Sequence, residues 1–128
     1  MNPRQLRVVY FTPAYDATVE FLRDRLQWPV AESWDRPGDH RGTLFAVGSG
    51  LVEVLENSEL RRGSSDTASG GPFIVIEVED VDALHDRIAA DGVPVHYPLE
   101  DKPWGHRGFS VLDPNGVEIA FFSAIAPA

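Results

Sequence analysis

The sequence predicts an α+β fold made of two tandem βαβββ modules, a concave mixed sheet that forms a cleft and carries its helices on the outer face. Three observations carry that prediction. The chain repeats itself at an offset of about 66 residues, read by subtracting positions: His40-Arg41-Gly42 recurs as His106-Arg107-Gly108, and Asp16-Ala17 as Asp82-Ala83. Each copy runs from a short apolar stretch into an amphipathic segment of helical period. Each copy then closes with two alternating stretches about a glycine turn, at Gly50 and at Gly116. A helix with one apolar stripe must bury it against a sheet, so one helix per half covers one sheet face and leaves the other concave.

The elements follow in order. Leu6 to Thr12 is rich in β-branched and aromatic residues and stops at Pro13, which marks a strand. Thr12 or Asp16 caps a helix running to Leu26, because Tyr15, Val19, Phe21, Leu22 and Leu26 recur near helical spacing and Pro29 forbids a longer one. Strands are expected at about Val30–Trp34, Gly42–Val47 and Leu51–Glu56, the last two joined by Gly48-Ser49-Gly50. The stretch 58–71 has little to bury and reads as a flexible linker. The unit then repeats: a strand at Phe73–Val78, a helix capped by Asp80 or Asp82 and stopped by Gly92, and strands near Val95, at Gly108–Leu112 and at Val117–Phe122. Asp113-Pro114-Asn115-Gly116 is a strong turn.

At 128 residues this is one domain, 1–128, with a first module at about 5–57 and a second at about 72–124. Without cysteine there is no disulfide, thiolate nucleophile or Cys-ligated zinc site. No apolar run approaches the length of a membrane span, the N-terminus has no signal-peptide core, and the chain is read as cytoplasmic. A net charge of −9 opposes nucleic-acid binding, and suits a neutral or cationic small molecule better.

Two motifs point to a family. Pro103-Trp104-Gly105-His106-Arg107-Gly108-Phe109, followed by Asp113-Pro114-Asn115-Gly116-Val117-Glu118-Ile119, resembles the closing motif of the glyoxalase, bleomycin-resistance and extradiol-dioxygenase superfamily, the vicinal oxygen chelate fold. The first half, with Gly50-Leu51-Val52-Glu53 after its turn, resembles the opening module of the same family. The resemblance covers nearly the whole chain and implies paired modules, usually in a homodimer. It also implies four metal-ligand positions in the concave seam, which fall here on Arg7, Glu53, Phe73 and Ala120. Only Glu53 offers a ligand, since phenyl and methyl groups have no lone pair and guanidinium brings its own positive charge. A one-residue register shift supplies no better set. No metal and no other cofactor is expected, and the catalytic residues, if any, are unknown.

Strand alternation places Phe45, Val47, Phe109 and Val111 under the helices, with Gly42, Leu44, Gly108 and Ser110 on the opposite face. The expected ligand-binding residues are Arg7, Glu53, Phe73, Trp104, His106, Ser110, Ala120 and Phe122, with Arg7 and Glu53 paired and Trp104 able to stack on a planar ligand. Trp28 is assigned to the core, and Trp34 to the cleft rim or a dimer interface. The expectation is a metal-free, non-enzymatic binding protein that resembles the bleomycin-resistance branch, is dimeric, and sequesters an antibiotic or metabolite of aromatic or cationic character. The alternative is a metal-dependent lyase, isomerase or dioxygenase of the superfamily, holding its metal through His40, His106 and Glu53.

Overall fold

The computed structural model describes residues 1–37, 41–56 and 72–126; His40 and the linker 58–71 lie outside the described residues. The first module consists of β1 (Arg7–Thr12), α1 (Tyr15–Glu20), β2 (Val30–Asp35), β3 (Arg41–Val47) and β4 (Gly50–Glu56). The second consists of β5 (Ile74–Glu77), α2 (Val81–Ala90), β6 (Tyr97–Lys102), β7 (His106–Leu112) and β8 (Glu118–Ala124). The strands form two four-stranded mixed sheets of matching order, β1-β4-β3-β2 and β5-β8-β7-β6. In each, the first strand runs parallel to the last and the remaining pairs are antiparallel. The α+β class and the tandem modules are as the sequence predicts.

Two elements depart from expectation. The first helix is not α-helical throughout: after Glu20 it widens into a π-helical turn over Phe21–Arg25, in which the Leu26 amide reaches Phe21 O at 3.1 Å. Leu22 and Leu26 are both buried in the core, and the helix ends on Gln27 at φ 59° where the second helix ends on Gly92 at φ 84°. The strand expected near Val95 starts two residues later, at Tyr97, and contains Pro98. Proline is tolerated there because β6 is an edge strand with an irregular register between Tyr97 and Glu100. The second helix starts as expected, with the Asp80 carboxylate accepting from the Ala83 amide.

The helix side of both sheets forms one apolar core, in which Leu22, Phe45, Val54, Ile88, Val111 and Ile119 are fully buried. Removal of such side chains from water contributes about 2–3 kcal/mol each. Trp28 is buried against Phe45 in an edge-on contact, as expected for a core residue. The two modules meet on this helix side. Tyr10 donates to Asp113 Oδ2 at 3.0 Å, Thr12 donates to Asn115 Oδ1 at 2.6 Å, and Asn115 Nδ2 donates to Thr18 at 2.8 Å. Burial, and then the Asp113 charge and hydrogen bond, push the Tyr10 hydroxyl far above its ordinary pKa, so it stays a donor. Arg25 pairs with Asp91 at 3.1 Å. Those two positions differ by the 66-residue repeat offset, and repeat-related residues touch each other only beside the pseudo-twofold axis.

The repeated residues that first stand out in the sequence have a structural use. Arg41 grips Asp16 at the start of α1 and Glu56 on β4, while Arg107 grips Asp82 at the start of α2 and Asp101 on β6. These bonds hold the Asp82 and Glu56 carboxylates below their usual range and raise both guanidiniums above theirs. Each pair ties the start of a sheet strand to a helix N-terminus, where a carboxylate is also favoured by the helix dipole.

Candidate functional site

Because the helix sides pack together, the other two sheet faces look outward, and they are not alike. On the first module, alternation puts Arg7, Val9 and Phe11 of β1 on the outer face, with Glu53 and Leu55 of β4 and Gly42 and Leu44 of β3. Trp34 on β2 pairs with Gly42, and its indole lies against that glycine so closely that a Cβ would sit 2.7 Å from Nε1. Leu44 and Leu55 are buried under this cover. Trp34 thus fills the concavity of its own sheet.

In the second module the residue opposite the matching glycine, Gly108, is Glu100, which is exposed and ion-paired with Lys102. Nothing bulky replaces the tryptophan, and a hollow of about 530 Å³ opens over β5, β8 and β7. Phe73, Trp104, His106, Ser110, Ala120 and Phe122 all line it. Its rim also includes Tyr97, Pro98, Lys102 and Glu118, which the sequence reading did not single out. Period two in the sequence already sets Glu118 on one face with Ala120 and Phe122, whereas Tyr97 gives no such signal, because the irregular β6 starts two residues beyond the stretch its pattern marks.

Six of the eight expected ligand-binding residues therefore come together, and two do not. Arg7 and Glu53 form the expected ion pair, Arg7 Nη1 donating to Glu53 Oε1 at 2.6 Å, but they lie on the first module and do not border the hollow. Arg7 is further held by Gln5, whose Oε1 accepts from Nη2 at 2.6 Å and from Nε at 2.9 Å. Within one chain the eight residues do not share one hollow, because the helix sides of the two sheets pack into a common core. A smaller depression, of about 390 Å³, does cross between modules, from Gly48 and Gly50 to Ile74 and Ile76, and holds none of the eight.

Within the hollow, His106 stacks on Phe122 with ring centroids 3.7 Å apart and planes inclined by 12°. Trp104, 65% exposed, stands at the mouth just before Gly105, whose φ of 93° permits the turn that presents it. Ser110 is 2% exposed, and its Oγ is one of two buried side-chain polar atoms without a hydrogen-bond partner among the described residues. The other is Trp34 Nε1, on the opposite module.

The donor set does not fit a divalent metal. Of the four positions implied by family resemblance, Phe73 and Ala120 offer no lone pair, Arg7 is a cation, and Glu53 is already spent on Arg7. Among the described residues no three His, Cys, Asp or Glu side chains stand close enough to hold a metal. Of the alternative set, His106 is stacked in the hollow, Glu53 lies off it, and His40 is outside the described residues.

Fold and hollow together define a class: a paired-module α+β protein whose second sheet carries an apolar, aromatic recess. The family model of the Glyoxalase/Bleomycin resistance protein/Dioxygenase superfamily matches residues 4–121, and the chain belongs to that superfamily. Among solved structures, TioX from Micromonospora sp. ML1 is similar at 26% identity and a TM-score of 0.76, over 96% of this chain and 100% of that one. A protein of unknown function from Agrobacterium tumefaciens str. C58 is similar at 29% identity and a TM-score of 0.73, over 98% and 97%. A lactoylglutathione lyase from Agrobacterium tumefaciens shares the fold at 18% identity and a TM-score of 0.71, over 95% and 94%. No curated protein matches the chain significantly. Among the described residues no helix is long and apolar enough to cross a membrane.

Proposed function

We propose that the chain is a small-molecule binding protein that captures its ligand in the second-module hollow without converting it, in the manner of a sequestering protein for an antibiotic or metabolite. The observation that carries this reading is the lining of the hollow. It is mostly apolar and aromatic, as small-molecule sites are; its one imidazole is stacked on Phe122, and among the described residues no three His, Cys, Asp or Glu side chains stand together to hold a metal.

The same reading makes the protein a homodimer. Phe73 is 62% exposed and Val75 51%, and with Val9, Tyr97 and Trp104 they leave large apolar side chains on the outer faces. A partner copy that laid its first-module face against the second-module hollow would cover them. It would also bring the partner's Arg7 and Glu53 toward the ligand, restoring the eight-residue site across two chains. Native mass spectrometry of protein purified without chelator and then offered zinc, nickel, manganese and ferrous iron tests both parts at once. The expected species has twice the 14.1 kDa chain mass and no retained metal. One metal ion per chain would favour the lyase, isomerase or dioxygenase reading instead.

A further inference from the structure

The ligand's chemistry can be narrowed, on the basis of the binding reading above, from the polar groups in and around the hollow. Charged groups occur only at its edge. Lys102 is engaged by Glu100, Glu118 lies at the start of β8, and Arg107 on β7 points to the helix side, where Asp82 and Asp101 occupy it. The wall itself holds Phe73, Val75, Phe122, Ala120 and Gly108, with the His106 ring stacked on Phe122. A bare charge placed there would lose its hydration and meet no unpaired counter-ion, since in the proposed dimer the partner's Arg7 and the partner's Glu53 neutralise each other, and apolar contact does not recover that cost. Beside the stacked His106, the polar side chain in this wall is Ser110, the one with a buried polar atom that lacks a partner among the described residues. Alternation along β7 sets Phe109 and Val111 into the core, so Ser110 faces the hollow, opposite Ala120 on β8 and Tyr97 on β6. Its hydroxyl is buried and has no partner among the described residues. A buried hydroxyl left in that state costs free energy in the empty protein, and that cost is returned to any ligand which supplies the missing hydrogen bond.

We propose that Ser110 is the specificity-determining residue of the hollow, and that it selects an uncharged, flat aromatic ligand carrying a hydroxyl or carbonyl group that reaches Ser110 Oγ. The counterpart position in the first module shows why only one face has this property: Leu44 stands where Ser110 does in the repeat, under the cover of Trp34. The selection therefore belongs to the second module, and it excludes the cationic ligand that the overall negative charge would otherwise favour. Net charge acts on encounter from a distance, whereas the wall acts on the bound ligand after its water is gone.

Four probes built on one ring system test this by isothermal titration calorimetry at pH 7: naphthalene, 2-naphthol, 2-naphthoate and 2-naphthylmethylammonium. The expected order has 2-naphthol binding roughly tenfold more tightly than naphthalene, the value of one ordinary hydrogen bond, and both charged probes binding at least about tenfold more weakly than 2-naphthol. Ser110→Ala should keep naphthalene affinity and reduce the naphthol advantage to about twofold or less. The free variant should melt at or above the wild-type temperature, because an unsatisfied buried hydroxyl is gone; that readout also confirms that the variant folds. An unchanged naphthol advantage in Ser110→Ala, or charged probes that match 2-naphthol, would overturn the role of Ser110 while leaving the hollow a binding site. Failure of all four probes to bind would remove the aromatic binding reading itself, and the inference with it.

Discussion

Gly108→Ala is expected to lower unfolding free energy by about 3 kcal/mol or more, a large share of the stability of a chain of this size. Gly108 lies on β7 between β6 and β8, and a Cβ added there would stand 3.1 Å from Phe122 Cβ, 3.4 Å from Phe121 C and nearer still to Phe121 O. The last two obstacles are backbone atoms of a paired strand, which cannot swing aside as a side chain can. Relief requires the β7–β8 ladder to part, and that ladder carries Phe109, Val111, Ile119 and Phe121 of the core. The matching glycine of the first module is a useful control, since a Cβ at Gly42 meets the Trp34 indole rather than backbone. Chemical denaturation of both variants should show the larger loss at Gly108. Equal stability of Gly108→Ala and wild type would mean that the strands do not approach as described.

Asp113→Ala should cost a similar amount, about 3 kcal/mol or more, by removing a buried acceptor that several donors share. Asp113 Oδ1 accepts from the amides of Asn115 and Val117 at 2.8 and 2.9 Å, and Oδ2 accepts from Asn115 Nδ2 and from Tyr10 at 3.0 Å each. The first two bonds shape the turn before β8; the Tyr10 bond joins the modules. Without the carboxylate, the turn amides and the buried Tyr10 hydroxyl lose their partner together. Tyr10→Phe removes only the inter-module bond, along with its donor, and should cost about 1 kcal/mol. The double variant should therefore lose little more than Asp113→Ala alone, because the two share the bond. Fully additive losses in denaturant melts would show that the Tyr10–Asp113 bond does not join the modules.

Much of the fold is legible in the sequence because its signals are local and doubled. The 66-residue repeat fixes two like modules, the turns at Gly50 and Gly116 fix two hairpins, and Asp80 caps the second helix where it should. Alternation correctly sets Phe45, Phe109 and Val111 in the core and Ser110, Ala120 and Phe122 together on the other face. What is not legible is how the modules pack. Strand period tells which residues share a face of one sheet, and nothing in it tells whether that face turns toward its repeat or away from it. For this reason the pairing of Arg7 with Glu53 is legible, whereas their separation from Phe73 and Ala120 within one chain is not. The same limit hides the use of Trp34. Its register against Gly42, set across the β2 irregularity between Val30 and Glu32, is what lets an aromatic ring close one hollow while Glu100 leaves the other open.

The identity of the ligand-bearing face can be read directly. Two-dimensional amide NMR of the labelled protein, titrated with 2-naphthol, should move the signals of Gly108, Ser110, Ala120 and Phe122 most, with Trp104 at the mouth following. Changes centred instead on Gly48, Gly50, Ile74 and Ile76 would place capture in the smaller depression between the modules, and would contradict an account built on the open face of the second sheet.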